Sequence, residues 1–183
     1  MNIPAIITVG HSNHPIEHFL QLVKNAGVTF IADVRSFPVS RYAPQFNKDA
    51  LAKSLGGAGL GYLYLGKELG GRSQSRTSAK LFQNGLDRVV DEGNNRRVAM
   101  MCAERDPLDC HRCLLLARHL AERGVDVGHI LASGKIENHR HTEDRLLAAE
   151  GLGEEDFFSR ELRLADAYNA RSGHRAHARA AGE

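Results

Sequence analysis

Val28-Thr29-Phe30-Ile31-Ala32-Asp33-Val34 reads as a strand that is apolar on both faces and carries one carboxylate near its end. Polar residues do not alternate with apolar ones, so both faces need cover, as in a parallel sheet with helices on each side. Upstream, Ile6-Ile7-Thr8-Val9 has the same β-branched character, and Gly10-His11-Ser12-Asn13 breaks it before Pro15, which suits the first turn of a helix. Ile16, Phe19, Leu20 and Val23 then fall on one helical face, and Gly27 stops that helix. Downstream, Asn47 is placed to cap a short helix through Leu55, and Tyr62-Leu63-Tyr64-Leu65 is strand-like. Gly66-Lys-Glu-Leu-Gly-Gly-Arg-Ser-Gln-Ser-Arg-Thr-Ser78 reads as a long, mobile loop. A helix over 78–92, a strand at Val98-Ala-Met-Met-Cys102, a helix over 110–123 ended by Gly124 and a last strand over 127–131 complete the pattern. Strands and helices in alternation predict an α/β, three-layer domain with a mainly parallel sheet flanked by helices.

The 183 residues, 42% apolar and 25% charged, suit one globular domain, assigned to 1–150. Residues 151–183 are expected to add a helix near 156–168 and a disordered polar tail from 170 onward, mildly basic and able at most to touch a phosphate backbone. No apolar run approaches the roughly 20 residues that span a bilayer, and Met1-Asn-Ile-Pro-Ala5 does not open a secretory signal, so the expected location is cytoplasmic, with no membrane partner. A net charge of +2 is too small to argue for nucleic acid by itself. Cys102, Cys110 and Cys113 read as reduced thiols and not as a disulfide framework.

Ionisable residues gather just after three of the strands. His11 and Ser12 follow the first, Asp33, Arg35, Ser40 and Arg41 the second, and Cys102, Glu104, Arg105 and Asp106 the third, with Asp109-Cys110-His111-Arg112 opening the next helix. In a parallel sheet these sets meet at one edge, where sites in such folds lie. Each also has a structural reading: Asp33 as a brace for its loop, His11 as a donor to a carbonyl, the arginines as surface charges, and the whole set as a salt-bridged network. Three chemistries compete for the segment 102–113. Zinc would take the three cysteines and a histidine, but a second close ligand pair is missing from the spacing, so no metal is assigned. A thiolate at Cys102 would resemble rhodanese chemistry, although Glu104, Asp106 and Pro107 oppose its activation. The preferred reading caps the helix with Asp109 and collects a phosphate on the Cys110–Arg112 amides, Arg112, Arg35 and Arg41. Gly56-Gly-Ala-Gly-Leu-Gly61 and Leu69-Gly-Gly-Arg-Ser73 lack the strand-to-helix context of a nucleotide fingerprint, so no cofactor is indicated.

Longer phrases carry a resemblance. Thr8-Val-Gly-His-Ser12, Asp33-Val-Arg-Ser-Phe-Pro-Val-Ser-Arg41, Phe46-Asn47, Tyr64-Leu-Gly-Lys-Glu-Leu-Gly-Gly71, Met101-Cys-Ala-Glu104, Asp106-Pro107, Cys110-His-Arg112 and His129-Ile130 are similar to the family known as domain of unknown function 488, over roughly 5–147. The resemblance implies a cytosolic α/β domain with His11, Ser12, Asp33, Arg35, Ser40, Arg41, Glu104, Cys110, His111 and Arg112 as its functional set, and transfers no catalytic assignment.

The leading expectation is an arginine-rich pocket for a phosphate-bearing or nucleotide-like ligand in a hydrolase or transferase. There Arg35, Arg41 and Arg112 hold the anion with Ser12, Ser40, Cys110 and His111, while Glu104, Asp33 and His11 serve catalysis. The alternatives are a non-catalytic nucleic-acid or nucleotide-binding module and a rhodanese-like enzyme using Cys102.

Overall fold

A computed structural model describes residues 4–71, 79–153 and 158–180. Its centre is a six-stranded sheet in the order β3-β2-β4-β1-β5-β6. The strands are β1 (Ile6–Gly10), β2 (Phe30–Asp33), β3 (Gly61–Tyr64), β4 (Val98–Cys102), β5 (Val127–Ile130) and β6 (Ile136–Asn138). All neighbours pair in parallel except β5 and β6.

The pleat sorts the core into two layers. Ile6, Phe30, Ala32, Val98, Met100 and Cys102 face one side. Ile7, Val9, Ile31, Ala99 and Met101 face the other, against Phe19 and Val23 of α1 (Ile16–Asn25) and Leu51 and Leu55 of α2 (Lys48–Gly57). The first side is covered by α3 (Gly66–Leu69), α4 (Ala79–Asn95) and the segment leading into α5 (Arg118–Glu122), which supply Leu69, Leu86, Val89, Leu116 and Leu120. The domain is thus a three-layer α/β fold. Gly27 and Gly124 end their helices as expected. Each has positive φ (+69° and +75°), and the amides of Val28 and Val125 reach back to the carbonyls of Val23 and Leu120.

Several local expectations change. Asn47 stands at the start of α2 but does not cap it, because its Oδ1 accepts the amide of Ser40 and ties down the preceding loop. The expected loop from Gly66 begins as α3; its remainder, 72–78, lies outside the described residues. The helix expected over 110–123 opens with a π-helical segment, Arg112–Ala117, before α5. Past β5, a turn at Gly134 (φ +83°) sends the chain back as β6, and Asn138 caps α6 (His139–Ala149) by accepting the amide of Arg140. The last helix, α7 (Arg160–Ala180), continues through the stretch expected to be disordered. Its alanine and arginine content favours helix, and its first half is anchored by Ala167 and Tyr168 against Leu108, Leu114, Leu146 and Leu147. Among the described residues no helix is long and apolar enough to cross a membrane.

Tyr168 closes a buried polar chain that links four elements. Thr8 Oγ1 donates to His129 Nδ1 (2.8 Å), His129 Nε2 to His139 Nδ1 (2.9 Å), His139 Nε2 to Tyr168 Oη (3.2 Å), and Tyr168 Oη to Glu143 (3.2 Å). One direction of donation satisfies every group with both imidazoles neutral. Burial lowers the His139 pKa from 6.5 to about 4 and, helped by His139, pushes that of His129 well down.

Two outcomes are expected. The unfolded chain takes up these protons near pH 6.5, while the folded chain refuses that of His139 until about pH 4 and holds His129 neutral well below its ordinary range. Their contribution is therefore complete above about pH 6.5 and is lost, by about 1.4 kcal/mol per pH unit for each histidine, as pH falls below it. Denaturant unfolding between about pH 6.5 and 5, above the range where carboxylates titrate, will detect it; a flat profile would contradict the neutral chain. The second concerns Gly10, where an added Cβ would fall on the Glu104 carbonyl and within 3.0 Å of Arg112 Nη1. Gly10→Ala should cost about 1–3 kcal/mol in the same assay, as overpacking does, and an unchanged midpoint would refute the close approach.

Candidate functional site

The parallel register brings the ends of β1, β2 and β4 side by side, with Gly10 beside Cys102 and Asp33 beside Met101. A cleft of about 360 Å³ opens there, lined by Arg35, Phe37, Val39, Cys102, Glu104 and His111 among others. Phe37 and Val39 are exposed and give its mouth an apolar rim.

Asp33 and Arg35 form one wall. Asp33 is fully buried; its Oδ1 accepts the Arg35 amide (3.1 Å) and Nε (2.8 Å), and its Oδ2 accepts Arg35 Nη2 (2.6 Å) and Tyr62 Oη (2.8 Å). Four donors on a carboxylate fill its acceptor directions. Asp33 is therefore a brace that immobilises Arg35. Tyr62, which completes the brace, is absent from the residues the sequence singles out; its signal is its place in the tyrosine-bearing strand that pairs with β2. Burial and then Asp33 hold the Tyr62 hydroxyl protonated far above its usual range.

His11 secures the other side of the guanidinium. Its Nδ1 donates to the Ser12 carbonyl (2.6 Å), which leaves Nε2 to accept Arg35 Nη1 (3.2 Å), and its ring stacks on Phe46 at 4.3 Å. Burial and the Arg35 charge lower its pKa to about 4. With both nitrogens engaged, His11 orients Arg35.

The opposite wall is a knot of sulfur, carboxylate and imidazole. The thiols of Cys102 and Cys110 each lie 3.0 Å from Glu104 Oε2, and His111 Nδ1 lies 3.6 Å from Cys102 Sγ and 3.7 Å from Cys110 Sγ. His111 Nε2 donates to the Val34 carbonyl at 3.1 Å, so Nδ1 presents its lone pair to the sulfurs. The hydrogen bond to Cys110, burial and Glu104 push the Cys102 thiol well above its ordinary range. Burial opposes ionisation of Cys110 too, but the bond from Cys102 and the Arg112 charge bring it below its ordinary range. Cys102 is thus held as the thiol, whereas a Cys102 nucleophile requires the thiolate.

Arg112 lies beneath this knot, fully buried. Its Nη1 donates to the Glu104 carbonyl (2.6 Å) and its Nη2 to the Arg105 carbonyl (3.0 Å), stapling the loop that carries Glu104. Asp109 does not cap the helix: it sits in a short 3₁₀ turn, Pro107–Asp109, capped by Asp106, and its carboxylate pairs with Arg171 at 2.9 Å. The amides of Cys110, Arg112, Cys113 and Leu114 are engaged within the chain. Ser40 and Arg41 stay out of the cleft; Ser40 Oγ accepts the amides of Tyr42 and Ala43, and Arg41 is exposed. Ser12, in a left-handed turn (φ +48°), binds the Ala103 carbonyl through its amide. The structure thus assembles His11, Asp33, Arg35, Glu104, Cys110 and His111 with Cys102, sets Arg112 below them, and leaves Ser40 and Arg41 outside.

Among the described residues, two groups of side chains lie close enough to share a metal ion, Cys102 with Cys110 and His111, and Cys113 with His129 and His139. The ring nitrogens of the second are the ones already joined in the polar chain from Thr8 to Tyr168.

No curated protein and no solved structure matches the chain. The family described as Domain of unknown function DUF488 matches residues 15–119, more than half of it, a span that contains Asp33, Arg35, Cys102, Glu104, Cys110, His111 and Arg112. This chain belongs to that family, Domain of unknown function DUF488.

Proposed function

We propose that the cleft binds a small phosphate-bearing molecule and that the protein is a hydrolase or transferase acting on it. The observation that carries this reading is the state of Arg35. Asp33 takes its Nε and Nη2 and His11 takes its Nη1, so the guanidinium is fixed at the cleft wall before any ligand arrives. A guanidinium has five N–H donors, and two remain for a ligand. Preorganisation of this kind lowers the entropic cost of binding.

The same pairing decides what kind of anion suits the site. Asp33 answers most of the Arg35 charge, so the wall acts through directed hydrogen bonds more than through a strong field. One compact phosphate suits that better than a polyanionic strand, and a volume of about 360 Å³ holds a small molecule. This favours an enzyme over a nucleic-acid module. Glu104 stands across the cleft as the acid or base, and the apolar rim of Phe37 and Val39 limits water access. A Cys102 nucleophile is disfavoured by the carboxylate 3.0 Å from its sulfur.

The reading is tested by thermal stabilisation with inorganic phosphate, sugar phosphates and nucleoside monophosphates. A ligand that raises the midpoint of the wild type should lose about tenfold or more in affinity with Arg35→Ala, and nearly as much with Arg35→Lys, which cannot keep the fork geometry. Arg41→Ala should match the wild type. Equal stabilisation of wild type and Arg35→Ala would overturn the anion site. For the phosphate ester that binds, Glu104→Gln should retain affinity and lower turnover by about two orders of magnitude.

A further inference from the structure

The spacing of the three cysteines lacks a second close ligand pair, but the fold turns His111 of the same segment onto two of the sulfurs. His111 Nδ1 lies over the sulfurs of Cys102 and Cys110, so three donor atoms come within reach of one ion. All three nitrogen and sulfur donors are on buried residues. We propose that Cys102, Cys110 and His111 hold a zinc ion, with its fourth position toward the cleft that Cys102 and His111 line.

Geometry supports the assignment. With Zn–S of about 2.3 Å and Zn–N of about 2.1 Å, a tetrahedral site has an S···N edge of about 3.6 Å. The two edges here are 3.6 Å and 3.7 Å. Thiolate with imidazole is a donor set that selects zinc among the abundant divalent metals.

The surroundings have the features that accompany a ligating histidine and thiolate. His111 donates its other ring N–H to the backbone carbonyl of Val34, which fixes both tautomer and ring orientation. The Arg112 amide approaches Cys110 Sγ at 3.5 Å. Charge also balances: zinc with two thiolates and the neighbouring Glu104 carboxylate leaves one net negative charge, and the buried Arg112 guanidinium, bound to carbonyls and not to a carboxylate, offsets it. Uptake of the ion sends the thiol protons to solvent. The group Cys113, His129 and His139 offers no comparable site, because its four ring nitrogens are joined in the chain between Thr8 and Tyr168.

The inference deepens the reading above by placing a Lewis acid in the same cleft, and it stands or falls separately. The full chain, reduced, stripped with a chelator and kept free of oxygen, is titrated with cobalt(II) alone and then with zinc(II). The expected result is one equivalent bound, with sulfur-to-cobalt charge-transfer absorption and tetrahedral d–d bands that zinc abolishes. Cys110→Ser and His111→Ala should each weaken binding by on the order of a hundredfold or more, while Cys113→Ser leaves it unchanged. Circular dichroism identifies any variant that fails to fold, and the wild-type spectrum decides the question without variants. Absence of charge-transfer bands in the wild type, or their loss in folded Cys113→Ser with retention in folded Cys110→Ser, would overturn the site. Arg35→Ala is expected to bind cobalt like the wild type, so failure of the anion reading and failure of the metal site give different results.

Discussion

The loop that carries Glu104 is held by one buried guanidinium. Arg112 grips the carbonyls of Glu104 and Arg105 from below, and Gly10 provides the room for that loop to pass against the end of β1. Burying an arginine without a carboxylate partner costs several kcal/mol unless hydrogen bonds and nearby negative charge compensate. Two carbonyls supply part of that compensation, and the result is a wall whose sulfur, carboxylate and imidazole atoms lie in mutual contact. Around this clamp, β1, β2 and β4 deliver the remaining groups by parallel register alone.

The meeting of strand-end residues at one cleft was legible because it depends on topology more than on side-chain detail. Apolar runs ending in Gly10, Asp33 and Cys102 identify strand ends, and a parallel sheet sends such ends to one edge. Helix stops at Gly27 and Gly124 were equally readable, since the left-handed turn that ends those helices favours glycine. Less accessible were the elements after β5, where a short antiparallel strand and a polar helix leave weak periodicity. The helix through residue 180 escaped for a related reason, because its anchor is Tyr168 on a core formed by other elements.

Within the site, residue types were easier to read than roles. Arg35, Arg41 and Arg112 look alike in the sequence, yet one is braced at the cleft, one is exposed on the surface and one is a buried staple. The difference arises from partners far away in the chain, such as Tyr62 for the first and the Glu104 carbonyl for the last. The π-helical segment from Arg112 to Ala117 adds to this, since it departs from the periodicity that a sequence reading assumes. Asp109 illustrates the same limit: its position before a helix suggests a cap, while Arg171 of α7 claims its carboxylate.

The central place of β1 has a consequence for how the chain reaches this state. β1 is near the start of the sequence, but both of its neighbours, β4 and β5, lie about a hundred residues later. On a ribosome, Ile6, Ile7 and Val9 would emerge early as an apolar strand with two open edges and wait for both partners to be synthesised. Long-range parallel pairing is slow to form, and exposed strand edges invite association in the meantime. Assembly of the cleft edge therefore waits until β4 takes its place between β1 and β2 and brings Cys102 to the end of the sheet.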